Sequence, residues 1–224
     1  MKRASALAAL ALVACHASPP PPEALRALYG LGPPAELASA STALVLVDFQ
    51  DEFFHGKLPV EDGGVAVERA AALRGWARAR GILVVHVRNV ARPGSRVFAE
   101  SSPTIAFVPE LAPEGRELVV TKHKAGAFSQ TDLDETLRAR RVDTLIVAGI
   151  MTHLAVDTTA RDGAVLGYRV VVASDACATR AIPSPLGGPP IAAAEVHRVA
   201  LASIADRFAD VMPAEAVMRL PVTR

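Results

Sequence analysis

Cysteine is scarce in this chain, and neither sign of charge dominates it. Cys15 and Cys177 are the two cysteines among 224 residues, so no disulfide framework is expected. The 24 Lys and Arg residues nearly balance the 23 Asp and Glu residues, and no dense basic run is interleaved with the few aromatics. Nucleic acid is therefore not an expected partner. The length suits one domain whose core needs neither disulfides nor metals.

The apolar run at the start of the chain is far too short to span a bilayer. Residues 1–15, MKRASALAALALVAC, instead have the layout of a secretory signal, with two cations before a short Ala/Leu stretch. Their last four residues resemble the lipobox of bacterial lipoproteins, in which the cysteine is lipidated. We therefore expect a signal peptide over 1–15, lipidation of Cys15, and an exported protein that meets the membrane only through that lipid. The alternative is an Ala-rich start without meaning, or a wrongly chosen initiator.

A run of four prolines at positions 19–22 follows the leader. Consecutive prolines favour a stiff, extended segment, so residues 16–37 are predicted to be a Pro-rich tether. The folded domain is then expected over residues 38–224.

From residue 43 onward, short β-branched runs alternate with longer helical patterns. This alternation predicts a three-layer α/β/α domain with a mainly parallel six-stranded sheet, and nearly continuous apolar runs indicate strands buried on both faces. The predicted strands cover 43–48, 82–88, 117–121, 143–149, 169–174 and 210–212, and the predicted helices cover 66–80, 131–140, 153–167 and 191–209. Residues 89–113 and 183–190 are predicted to be long connections, which tend to be functional.

Three polar segments follow predicted strands, where ligands bind in open parallel sheets. They are VDFQDEF around Asp48, TKHKAGAF around Lys122, and GIMTHLAVDTT, which contains Ala155. Together with LGYRVVVASDACATR and ALASIADRFADV, they resemble the isochorismatase-like superfamily, also called the cysteine hydrolases, over roughly residues 38–212. Five motifs in the family's order favour its fold.

The resemblance implies a catalytic triad of Asp, Lys and Cys, of which Asp48 and Lys122 are present. The family's cysteine position holds Ala155, whose methyl group cannot form a thioester. The resemblance also implies a cis peptide between Ile150 and Met151, an oxyanion hole made by the N–H groups of Met151 and Ala155, and a homo-oligomer.

Four further residues bear on the predicted pocket. Phe53 and Phe128 match family positions, and His153 is expected beside the pocket. Family members that bind a metal use one Asp and two His, whereas this chain offers only His55 in that region, so neither a metal nor another cofactor is expected.

Three explanations of Ala155 remain open. In the first, the protein is a hydrolase of a small molecule by acid–base chemistry, with Asp48 as a proton donor whose pKa is raised by burial. Lys122 would oppose that rise while it orients the substrate. Isochorismate itself is not the expected substrate of an exported protein. In the second, the chain is a pseudoenzyme that binds a small ligand without turnover. The third, a deliberate replacement of a native cysteine, is disfavoured by the presence of the leader and the lack of a tag.

Other side chains are poor substitutes for the missing thiol. The hydroxyls of Thr152, Thr158 and Thr159 are expected to stabilise the turn and the helix start. Cys177 is expected to be a buried, inert thiol.

Overall fold

The protein is described by a computed structural model over residues 22–224. Its central sheet has six strands in the order β4-β3-β2-β5-β6-β7, and every neighbouring pair is parallel. The predicted six-stranded sheet is confirmed, and it is parallel throughout. The strands are β2 (Thr42–Val47), β3 (Leu83–Asn89), β4 (Leu118–Lys122), β5 (Thr144–Ile150), β6 (Arg169–Ala178) and β7 (Asp210–Met212).

Helices cover both faces of this sheet. The helices are α1 (Leu25–Leu28), α2 (Gly63–Ala79), α3 (Leu133–Ala139), α4 (Asp157–Val165), α5 (Ala193–Arg207) and α6 (Ala214–Arg219). Every residue of β2 is buried, and its side chains alternate between two cores. Leu44 and Leu46 pack in the core that contains α2 and α6, whereas Ala43, Val45 and Val47 pack in the core that contains α3, α4 and α5. The three-layer α/β/α arrangement is thus confirmed.

Strands β2 and β5 lie unusually close at Gly149. A Cβ atom on Gly149 would lie 2.4 Å from the carbonyl oxygen of Val47, so only glycine fits without a shift of the backbone. The register between β5 and β6 also shifts between Val147 and Gly149. The absence of a side chain at Gly149 thus permits the close approach of β2 and β5 near their carboxyl ends.

The described part of the predicted tether is folded onto the domain. Helix α1 lies within it, and Arg26 forms a two-pronged ion pair with Asp210 at the start of β7. Leu37 is buried and begins strand β1 (Leu37–Ala38), which pairs in parallel with β8 (Val222–Thr223). The folded part of the chain therefore starts before residue 38. An ion pair and a buried leucine hold residues 22–37, the amino-terminal arm, on the domain.

Residues 1–21 lie outside the described part of the chain, so the leader, Cys15 and most of the proline run remain expectations from the sequence. No helix within residues 22–224 is long and apolar enough to cross a membrane.

Candidate active site

A buried ion pair lies at the carboxyl ends of the central strands. Asp48 directly follows β2 and adopts a left-handed backbone conformation with φ of 55°. Its Oδ2 atom lies 2.7 Å from Nζ of Lys122, the last residue of β4, and both side chains are at most 3% exposed. Nζ of Lys122 also donates to the backbone carbonyl of Lys124 at 3.1 Å. The structure therefore brings the two predicted polar residues into direct contact.

Asp48 is protonated more readily in the folded protein than a free aspartate side chain is in water. Burial is the largest effect and raises the pKa of Asp48 from 3.8 to about 6, while the charge and the hydrogen bond of Lys122 oppose the rise. The other carboxyl oxygen, Oδ1, is buried and has no hydrogen-bond partner within the described residues. A buried polar atom without a partner is costly in a folded protein, so it often marks a position that a ligand satisfies.

The turn after β5 begins with a cis peptide bond between Ile150 and Met151. The carbonyl of Met151 then accepts hydrogen bonds from the N–H groups of Leu154 at 3.0 Å and Val156 at 3.2 Å. One π-helical turn, Thr152–Val156, leads into α4, so the predicted helix over 153–167 divides into two parts. Ala155 lies in this turn, is 4% exposed, and presents a methyl group to the core.

Two hydroxyl–imidazole pairs hold the same turn in place. Nδ1 of His197 lies 2.9 Å from Oγ1 of Thr152, and Nδ1 of His153 lies 2.5 Å from Oγ1 of Thr179. Burial is the main cause that lowers the pKa of both histidines, which favours neutral rings near pH 7. Further along, Oγ1 of Thr159 accepts from the N–H of Ala127 at 3.0 Å. These contacts tie the turn to the residue after β6 and to α5, and they tie α4 to the loop that follows Lys122.

The two phenylalanines expected at the pocket have different surroundings. Phe53 is buried and meets Phe98 edge-on, with ring centroids 5.2 Å apart. Phe128 instead stacks on Tyr168 at 5.8 Å, and Tyr168 directly precedes β6. Tyr168 marks the amino end of that strand, and the expected place of Phe128 beside the pocket stays a prediction.

Cys177 is the one cysteine within the described residues, and its thiol is buried. It is 6% exposed, and its Sγ donates to the carbonyl of Ala173 at 3.3 Å. Burial raises the pKa of Cys177 to about 12, so the thiol stays protonated at neutral pH and is a poor nucleophile. It borders a cleft of about 480 Å³ that Thr179 and His197 also line. Neither Asp48 nor Lys122 lines this cleft.

Metal ligands do not assemble in the described structure. No group of three or more His, Cys, Asp or Glu side chains within residues 22–224 is placed to hold an ion. His55, the histidine nearest in sequence to Asp48, instead meets Asp51, with Nδ1 and Oδ1 2.5 Å apart.

The fold and the Asp48–Lys122 pair define the class of protein: a parallel α/β/α domain with a buried acid–lysine pair at its strand ends. Comparison with known proteins gives the family, because the isochorismatase domain matches residues 42–216. The chain belongs to the isochorismatase family of hydrolases.

Similar proteins cover most of the chain. A secreted isochorismatase effector of Verticillium dahliae is 35% identical over 183 residues, which are 82% of this chain and 93% of the relative. The crystal structure of an isochorismatase from Pseudomonas putida superposes with a TM-score of 0.80 at 35% identity, covering 87% of this chain and 98% of that one. A cysteine hydrolase from Pseudomonas syringae has a TM-score of 0.78 at 33% identity, covering 82% of this chain and 93% of that one.

Proposed function

We propose that the protein hydrolyses a small molecule by acid–base chemistry, with Asp48 as proton donor and without a covalent thiol intermediate. The observation that carries this proposal is the Asp48 carboxyl, whose Oδ2 is held by Lys122 while its buried Oδ1 has no partner within the described residues. The relatives' names cover both an isochorismatase and a cysteine hydrolase. Ala155, at the position that the resemblance gives to the thiol, favours a reaction without a covalent thiol intermediate.

Each residue has a defined role in the proposed step. The protonated Oδ1 of Asp48 donates its proton to the substrate atom that gains electrons as the bond is cleaved. Lys122 fixes the orientation of the carboxyl through Oδ2 and stabilises the carboxylate that results. Water adds to the electron-poor atom, and its released proton returns to Asp48, so the site is restored. The N–H groups of Met151 and Ala155 are proposed to stabilise negative charge that develops on a substrate oxygen.

A second candidate is a binding protein without turnover. Asp48, Lys122, Met151 and Ala155 are each at most 5% exposed, so a substrate reaches Oδ1 only if the surrounding loops move. A scaffold that remains closed would bind a ligand at most weakly and convert none.

The location of the protein is a separate part of the proposal. We propose export and a lipid anchor on Cys15, supported by the lipobox-like sequence and by the secreted relative in Verticillium dahliae. A homo-oligomer also remains a proposal. Labelled palmitate should be incorporated by the native chain and not by Cys15→Ala, and equal labelling of both would contradict the anchor.

The catalytic proposal is tested with an isosteric acid variant and a neighbouring control. A library of small metabolites, including nicotinamide as an amide probe, is mixed with the protein, and both thermal shift and substrate loss are followed. Asp48→Asn should abolish any turnover found, because an amide cannot donate a proton as a carboxylic acid does. Asp51→Asn should retain turnover, since Asp51 is partly exposed and pairs with His55. Iodoacetamide should leave turnover unchanged.

Three outcomes separate the alternatives. Saturable binding without product would favour the binding protein. Turnover that survives Asp48→Asn would refute the role of the acid. An acyl adduct on any side chain, detected by mass spectrometry, would refute the absence of a covalent intermediate.

A further inference from the structure

Gln50 uses its whole side-chain amide to join two segments of backbone beside Asp48. Its Nε2 donates to the carbonyl of Asn89 at 3.0 Å and to the carbonyl of Ile105 at 2.8 Å. Its Oε1 accepts from the N–H of Asn89 at 2.7 Å. The residue is completely buried, so water does not compete for these three bonds.

The bonded positions are the two ends of one long loop. Asn89 ends β3, and Ile105 lies where the chain returns, so residues 90–104 form a loop whose base is closed by Gln50. The backbone reinforces this closure, because the N–H of Asp51 donates to the carbonyl of Ala106 at 2.9 Å. Within the loop, Phe98 packs edge-on against Phe53. The loop therefore packs one buried aromatic ring, Phe98, on the segment that carries Asp48.

Gln50 is also bonded to the backbone of Asp48. Its N–H donates to the Asp48 carbonyl at 2.7 Å, and the N–H of Asp48 donates to the carbonyl of Val87 in β3. Asp48 holds a left-handed conformation that a residue with a Cβ adopts only when its surroundings impose it. Gln50 thus joins the base of the 90–104 loop to the left-handed backbone of Asp48.

We propose that Gln50 is a positioning residue that holds the 90–104 loop closed and keeps water away from the Asp48 carboxyl. The inference deepens the proposed function, because it assigns the dry environment that a proton donor needs to one amide side chain. Gln50 touches backbone groups only, so its effect on chemistry would pass through the loop and through Asp48. Among the described residues, Lys122 is the charged side chain that pairs directly with Asp48.

The test measures Asp48 directly and needs no known substrate. Protein labelled with ¹³C at the Asp carboxyl carbon is titrated from about pH 4 to pH 8 by NMR, and Asp48→Asn identifies the Asp48 signal. Gln50→Leu removes all three side-chain bonds without adding charge. Gln50→Asn is the milder variant, in case the first does not fold. Trypsin cleavage after the exposed Arg96 reports loop opening in the same samples.

In both Gln50 variants the Asp48 midpoint should fall by about one pH unit, from about 6 toward its ordinary 3.8, because water then reaches the carboxyl. Cleavage after Arg96 should become about tenfold faster, since the bonds that close the loop are lost. The control Thr104→Val removes a different contact of the same loop, the hydrogen bond to Glu52, and should leave the midpoint unchanged.

Faster cleavage with an unchanged midpoint would show that Gln50 is only a structural anchor and would overturn the proposal. So would an equal fall of the midpoint in Thr104→Val, or no change in either measurement. Failure of Asp48 as the proton donor is detected separately, because turnover by Asp48→Asn would refute the proposed function while the Gln50 titration still stood.

Discussion

Removing the lysine partner of Asp48 should make stability depend on pH in a defined way. In the native protein the folded pKa of Asp48 is about 6, against 3.8 for a free side chain. The folded carboxyl therefore binds more protons than the unfolded one between these values, so its contribution to stability is greatest below pH 3.8 and is lost as the pH rises to about 6. About one unit above the folded pKa the carboxyl is ionised in both states, and its contribution no longer changes.

Lys122→Met removes the one charge that lowers the pKa of Asp48, so the folded pKa should rise well above 6. The folded carboxyl then stays protonated at pH values where the unfolded one is ionised, and stability continues to fall by about 1.4 kcal/mol per pH unit. Because the native Asp48 is itself about half protonated at pH 6 and releases that proton as the pH rises, the variant should lose about 2 kcal/mol more than the native protein between pH 6 and pH 8. Because Asp48 is fully buried, solvent screening should not reduce this difference much.

Urea unfolding at pH 6, 7 and 8 measures the effect. The control is the double variant Asp48→Asn with Lys122→Met, which lacks the titrating carboxyl and should show the same loss at every pH. A constant offset between Lys122→Met and the native protein across this range would refute the reasoning, since it would mean that the lysine does not control the protonation of Asp48.

Three further predictions concern other parts of the fold. Cys177 should resist iodoacetamide at pH 8 in the folded protein and react after unfolding, because burial raises its pKa to about 12. Mass spectrometry of the peptide that contains Cys177 checks this, and rapid labelling of the folded protein would contradict it. Gly149→Ala should lower the free energy of unfolding by about 1–3 kcal/mol, since the new methyl meets the Val47 carbonyl at 2.4 Å; an unchanged urea midpoint would be inconsistent with this contact. Arg26→Ala should lower the free energy of unfolding by about 1–3 kcal/mol and speed amide hydrogen exchange over residues 25–31, because it leaves the buried Asp210 unpaired. Unchanged exchange over these residues would mean that the ion pair does not hold the amino-terminal arm.

The sheet could be predicted from the sequence because its central strands are short apolar, largely β-branched runs, and β2 is buried over its whole length. The order of such runs among helical patterns implies parallel pairing. The amino-terminal arm could not be predicted in the same way. Its prolines indicate an extended segment, whereas the ion pair of Arg26 with Asp210 depends on a contact between distant parts of the chain.

The candidate site was only partly predictable for a similar reason. Asp48 and Lys122 stand at strand ends, where the topology of the sheet brings side chains together. The orientation of Phe128 depends on Tyr168, 40 positions later, and no local pattern encodes that contact. Gln50 lies within the VDFQDEF segment, but its three bonds to the loop base appear only in the folded chain.

The contacts that build this site do not depend on the side chain of residue 155. Backbone bonds to the Met151 carbonyl shape the turn, the Thr152–His197 and His153–Thr179 pairs hold it, and none of these contacts requires a sulfur atom. A methyl group at this position is compatible with the scaffold, because Ala155 lies in an apolar core. One fold is therefore compatible with different reactions, because the contacts that shape this turn leave the side chain at position 155 free to vary. In the proposed function the chemistry of this chain depends on the protonation of Asp48, which burial favours and Lys122 opposes.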